Sequence, residues 1–134
     1  MTSRTVSAWW NIPTPEGWTS RHDPECSTLE PPSRMSALQL SAARKGTEIT
    51  DEDLREFAEN HLAAGASPSP VEAGDFKGFS IAYRDESHHW RQWFLRSHNV
   101  AVFVTYNCPV KLAGEEDIVV NTALSDLRLS NGAL

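Results

Sequence analysis

Residues Phe79 to Cys108 read FSIAYRDESHHWRQWFLRSHNVAVFVTYNC, and this stretch decides the fold. Strand formers run through it without a helical period, and turn residues interrupt it at Asp85–Ser87 and at His98–Asn99. If Glu86–Ser87 and His98–Asn99 are two-residue hairpin turns, Tyr83 faces Trp90, Phe79 faces Phe94, Trp93 faces Val104 and Leu95 faces Val102. One sheet face then carries Phe79, Ile81, Tyr83, Trp90, Phe94, Ala101 and Phe103. The other carries Ala82, Trp93, Leu95, Val100, Val102, Val104 and Tyr106. Successive side chains on a strand point to opposite faces, so a sheet apolar on both sides needs a cover on both.

Working outward, the strand run starts at Val71, preceded by the loop ASPSP, where Pro68 and Pro70 forbid helix. Before that loop, Thr50 opens T-D-E-D, a capping-box pattern with three acids at the positive end of a helix dipole. Leu54, Phe57, Ala58, His61 and Leu62 follow at the spacing of one buried helical face, and Gly65 suits the C-terminal cap. The helix is predicted over Asp51–Ala64. Upstream, Trp18–His22 and Cys26–Glu30 read as a hairpin turning at Asp23–Glu25, and Met35–Ala43 as a further strand. Downstream, Val120, Ala123, Leu124 and Leu127 mark the inner face of a second helix over Glu115–Leu129. The fold class is α+β: a central antiparallel sheet of about six to seven strands with helices on both faces, a three-layer α/β/α sandwich.

This order of elements resembles the Mog1 and PsbP-like superfamily, which includes small bacterial proteins. The residues that carry the resemblance are the I-P-x-P-x-G-W segment (Ile12, Pro13, Pro15, Gly17, Trp18) and the runs GWTSRHD, TDEDLREFAENH and HHWRQWFLRSHN. It extends over nearly the whole chain. It implies an antiparallel sheet flanked by helices and a role in binding other proteins: a small GTPase in one branch, a photosystem in another, secreted effectors in some bacterial members. The resemblance brings no catalytic residue with it.

The chain has 134 residues, enough for a single domain over 1–134 that buries about two thirds of its unfolded surface. With 12 Lys and Arg against 18 Asp and Glu the net charge is −6, which disfavours a nucleic-acid backbone partner. No export signal or apolar run long enough for a membrane span is visible, so the expected compartment is the cytoplasm. There Cys26 and Cys108 are expected as free thiols. Nucleotide fingerprints and EF-hand spacing are absent, and the adjacent His88 and His89 point to opposite faces of a strand. No cofactor and no metal site are expected.

The chemically suggestive cluster is Arg84, His89 and Cys108, which the hairpin registers set side by side, with Arg91 and Tyr106 further inward. An imidazole can take a thiol proton and a guanidinium can lower the thiol pKa, so this cluster carries the alternative reading of a small enzyme or small-molecule binder. No carboxylate or amide is assigned to orient the imidazole. Trp9, Trp10 and Arg91 belong to the residue types that concentrate interface energy. They carry the leading reading, a non-catalytic protein-interaction module of adaptor, chaperone or immunity type that binds one protein partner. In denaturant without reductant, a thiol reagent is expected to titrate two cysteines. Titration only after reduction would contradict the cytoplasmic reading.

Overall fold

The computed structural model describes residues 3–130. Two short strands, β1 (Arg4–Val6) and β2 (Trp10–Pro13), precede the hairpin β3 (Thr19–His22) and β4 (Ser27–Glu30). Strand β5 (Ala37–Arg44) leads into helices α1 (Asp51–Phe57) and α2 (Glu59–Ala63). The meander follows as β6 (Ser69–Ala73), β7 (Phe76–Arg84), β8 (His88–Ser97) and β9 (Val100–Pro109), and α3 (Asp117–Leu124) and β10 (Arg128–Leu129) come after it. Among the described residues, seven strands form one antiparallel sheet in the order β3-β4-β5-β9-β8-β7-β6. A second, small sheet has β2 between β1 and β10. The architecture is α+β with strands predominating.

All four pairings read from the sequence are present: Tyr83 with Trp90, Phe79 with Phe94, Trp93 with Val104 and Leu95 with Val102. Side-chain chemistry closes the first turn, where the Asp85 carboxylate accepts the N–H of Ser87 at 2.8 Å and of His88 at 2.7 Å. In the second turn His98 takes the left-handed conformation, φ 53°. The β3–β4 hairpin turns at Pro24 and Glu25, with the Asp23 N–H on the Cys26 carbonyl.

The interior divides into two apolar clusters. One joins Ile49, Leu54 and Ala58 of the first helical region to Ile81, Phe94 and Ala101. The other joins Trp93, Leu95, Val102 and Val104 to Trp10 and Ile12 of β2 and to Val120, Ala123 and Leu124 of α3. Strand β8 thus sends Phe94 to one cluster and Trp93 and Leu95 to the other. The cover of the larger cluster is shared between α3 and the small sheet, which the sequence reading did not foresee.

The capping box of α1 is present, with the Asp53 N–H on Thr50 Oγ1 at 3.1 Å and the Thr50 N–H on Asp53 Oδ2 at 2.9 Å. Arg96 of β8 donates to Asp51 at 2.7 Å and ties the helix start to the sheet. Three expectations are corrected. The helix predicted over Asp51–Ala64 is divided at Ala58, whose ψ of 6° leaves the helical range, and Phe57 is 53% exposed with its ring edge-on to Phe103 at 4.7 Å. The ASPSP segment is not all loop, because β6 begins at Ser69 and includes Pro70, tolerated on an edge strand. The second helix ends at Leu124 instead of Leu129. Beyond it Ser125 Oγ donates back to the Thr122 carbonyl, Asp126 is held by Arg4 and Arg128, and residues 128–129 pair with β2. Turn bonds from the Asp126 and Leu127 N–H groups to the Ala123 and Leu124 carbonyls, and then the pairing with β2, replace the helical ladder there.

Gly74 locks this closing segment. Its φ is +61°, and a Cβ on it would lie 1.9 Å from the Leu127 carbonyl oxygen, which accepts the Asp75 N–H at 2.9 Å. Leu54→Ala is expected to lose about 2–5 kcal/mol in urea unfolding, because it leaves a cavity in a fully buried site. Phe57→Ala, at a half-exposed site, is expected to lose clearly less than Leu54→Ala. Equal losses would put Phe57 in the core.

Candidate functional site

The antiparallel register brings Arg84, His89 and Cys108 into one row across β7, β8 and β9, and Arg91 beside Tyr106 two residues further in. The row is not built for thiolate chemistry. Cys108 is 0% exposed, and burial pushes its thiol up, reinforced by the charges of Glu116, Asp117 and Glu115 against the lowering hydrogen bond from Tyr106. His89 is held below its ordinary value of 6.5, first by burial and then by Arg84. Among the described residues its buried Nδ1 has no hydrogen-bond partner, so no carboxylate or amide orients the ring through that nitrogen. Arg84 is exposed at the strand end.

Further along the same face, Glu116 has a structural role that the sequence did not reveal. Its Oε1 accepts the Tyr106 hydroxyl at 2.7 Å and the Ser36 hydroxyl at 2.5 Å. Burial and this bond push the Tyr106 phenol up, so it stays protonated and donating. Arg91 serves α3 in a similar way: it donates to Asp117 at 3.1 Å and Asn121 at 2.7 Å and lies over the Trp93 ring at 4.5 Å. Its side chain is 19% exposed. Among the described residues, no three His, Cys, Asp or Glu side chains gather as a metal-binding group.

The tryptophans divide between core and surface. Trp10, named from the sequence as a partner contact, is 2% exposed and packs in the larger cluster. Its ring faces the interior, so it offers no surface to a partner. Trp9 is half-buried beside Arg44, whose guanidinium lies 5.9 Å from the ring centre. Trp90 stacks on Tyr83.

The sequence reading missed an open groove of about 860 Å³ between the Pro13–Trp18 segment and α3, lined by Arg4, Pro13, Pro15, Trp18, Ile118 and Val119. Ile118 is 82% exposed. The signal for it lay in the run Ile118-Val119-Val120, three apolar residues that one helix cannot turn inward together.

Among the described residues, no helix is long and apolar enough to cross a membrane. A pH dependence follows from His89. Its folded pKa lies below the unfolded one, so the unfolded chain takes up a proton first as pH falls. The stabilisation by neutral His89 is present above about pH 6.5 and is lost as pH falls below it. His89→Gln is expected to flatten the urea-midpoint profile between about pH 6.5 and 5, ahead of carboxylate protonation. An unchanged slope would place His89 in solvent.

No sequence profile of a known family matches the chain, and no curated protein matches it. Solved structures do. A protein from Bacteroides thetaiotaomicron superposes with a TM-score of 0.73 at 15% identity over 97% of this chain and 49% of its own, so this chain spans about half its length. The PsbP protein CyanoP from Synechocystis superposes with a TM-score of 0.67 at 11% identity over 96% of this chain and 92% of its own. At such identities the likeness is one of fold, and it agrees with the resemblance read from the sequence: this chain has a PsbP-like fold.

Proposed function

We propose that the chain is a non-catalytic, cytoplasmic module that binds one protein partner, as an adaptor, chaperone or immunity-type protein does. Its frame is read as an α/β/α arrangement whose outer helix α3 carries the working surface. One observation supports this above the others: Ile118 and Val119 stand out to solvent on α3 beside the groove floored by Pro13, Pro15 and Trp18. An exposed apolar patch beside an indole is a feature of interaction surfaces, and tryptophan is among the residues that dominate interface energy. Arg91 belongs to this reading as the residue that clamps α3 through Asp117 and Asn121. The buried thiol and the unoriented imidazole weigh against the alternative enzyme reading.

The test is affinity capture from the native host, followed by titration with the purified partner. Ile118→Asp with Val119→Asp is expected to weaken that binding by more than about tenfold, a change of about 1.4 kcal/mol, with an unchanged melting curve. Cys108→Ser is expected to bind as the parent does. Undiminished binding by the double variant would overturn the α3 surface.

A further inference from the structure

Strand β7 outruns its neighbour β6. Pairing between them stops at Ser69 opposite Ser80, whereas pairing of β7 with β8 continues to Arg84 opposite His89. Residues Ile81–Arg84 therefore belong to the sheet on one side only. In an antiparallel ladder, alternate residues direct their N–H and C=O groups to opposite sides, so half of the backbone polar groups of this overhang face outward. Among the described residues none of them has a backbone partner on that side. Helix α2 ends at Ala63, Gly65 beyond it takes φ +97°, and the chain reaches β6 through Pro68, so among the described residues no strand precedes Ser69 in line with β6.

A cavity of about 590 Å³ lies against the overhang, lined by His61, Ala64, Ser67, Ser69, Ala82 and Tyr83. The small side chains leave room for a strand, and the aromatic ones form a wall: His61 stacks on Tyr83 at 5.4 Å and Tyr83 on Trp90 at 6.2 Å. At the open end Arg84 is exposed and makes no ion pair among the described residues. The neighbouring Asp85 carboxylate is already engaged by the Ser87 and His88 N–H groups. The other free edges are less suited. Strand β6 carries Pro70, and all four residues of β3 are exposed.

We propose that this notch is a strand-addition site. An extended segment of a partner protein pairs antiparallel with Ile81–Arg84 in line with β6, placing an acidic side chain across from Arg84 and an aromatic one across from Tyr83. Only an extended main chain matches alternating donors and acceptors at this spacing, and the unpaired guanidinium and the aromatic wall set the side-chain preference. The site rests on the reading of the chain as a protein binder, but on a surface separate from the α3 groove.

The probe is a fluorescent peptide with glutamate, tyrosine, threonine and valine in succession, titrated by anisotropy against the full chain. A control peptide has proline in place of threonine. Saturable binding is expected, about tenfold or more weaker for the proline peptide and for Ser67→Trp, an exposed position whose new ring fills the notch. Arg84→Glu is expected to weaken binding and reverse its salt dependence, because salt then screens a repulsion instead of an attraction. Ile118→Asp is expected to leave it unchanged, so that failure here and failure of the α3 surface are told apart. Amide exchange at residues 81–84 is expected to slow on binding. Absence of saturable binding by natively melting protein, or binding indifferent to both the proline peptide and Ser67→Trp, would overturn the proposal.

Discussion

Every layer of this molecule is referred to the register of β8 between β7 and β9. Trp93 and Leu95 enter one apolar cluster and Phe94 the other, so a slip of one residue would exchange their environments and turn polar neighbours inward. A buried aromatic side chain hides about 150–250 Å² and contributes roughly 4–6 kcal/mol at 25 cal/mol per Å², an upper estimate. A mismatch of even part of this at Trp93 and Phe94 is large against the stability of an ordinary domain, about 5–15 kcal/mol. Two tight turns hold the register, one closed by the Asp85 carboxylate and one by a residue in the left-handed region.

The meander was legible because its information is local: period-2 alternation, two-residue turns and a capping box depend on neighbours a few positions apart. The features that were not legible depend on distant partners. Nothing near Arg128 announces that it will pair with Asn11, so the apolar spacing of Val120, Ala123, Leu124 and Leu127 extended the helix too far. Phe57 kept the helical period but emerged exposed, because the chain leaves helical geometry at Ala58. Trp10 shows the converse. Its residue type suggested an interface, and the small sheet that buries it exists only through strands from both ends of the described chain.

The same distinction applies to chemistry. Pairing placed Arg84, His89 and Cys108 together, as the registers required, but proximity along a ladder does not prescribe solvation or charge. Those come from α3 and from Glu116, whose carboxylate takes the Tyr106 and Ser36 hydroxyls and stands among the acids that push the Cys108 thiol up. The groove beside α3 likewise depends on where the Pro13–Trp18 segment settles, which no local pattern states.

The pairing of β2 with β10 also bears on how the chain is made. Trp10 leaves the ribosome long before Arg128 and Leu129, yet its strand is completed by them, and the Gly74–Asp75 corner waits for Leu127. A ribosome that has just joined Leu129 still encloses that residue. The seal over the Trp10 side therefore forms only after Leu129 has emerged. Until then a nascent chain exposes the indole and the apolar face beneath it, and this is the interval in which a chaperone would find the protein.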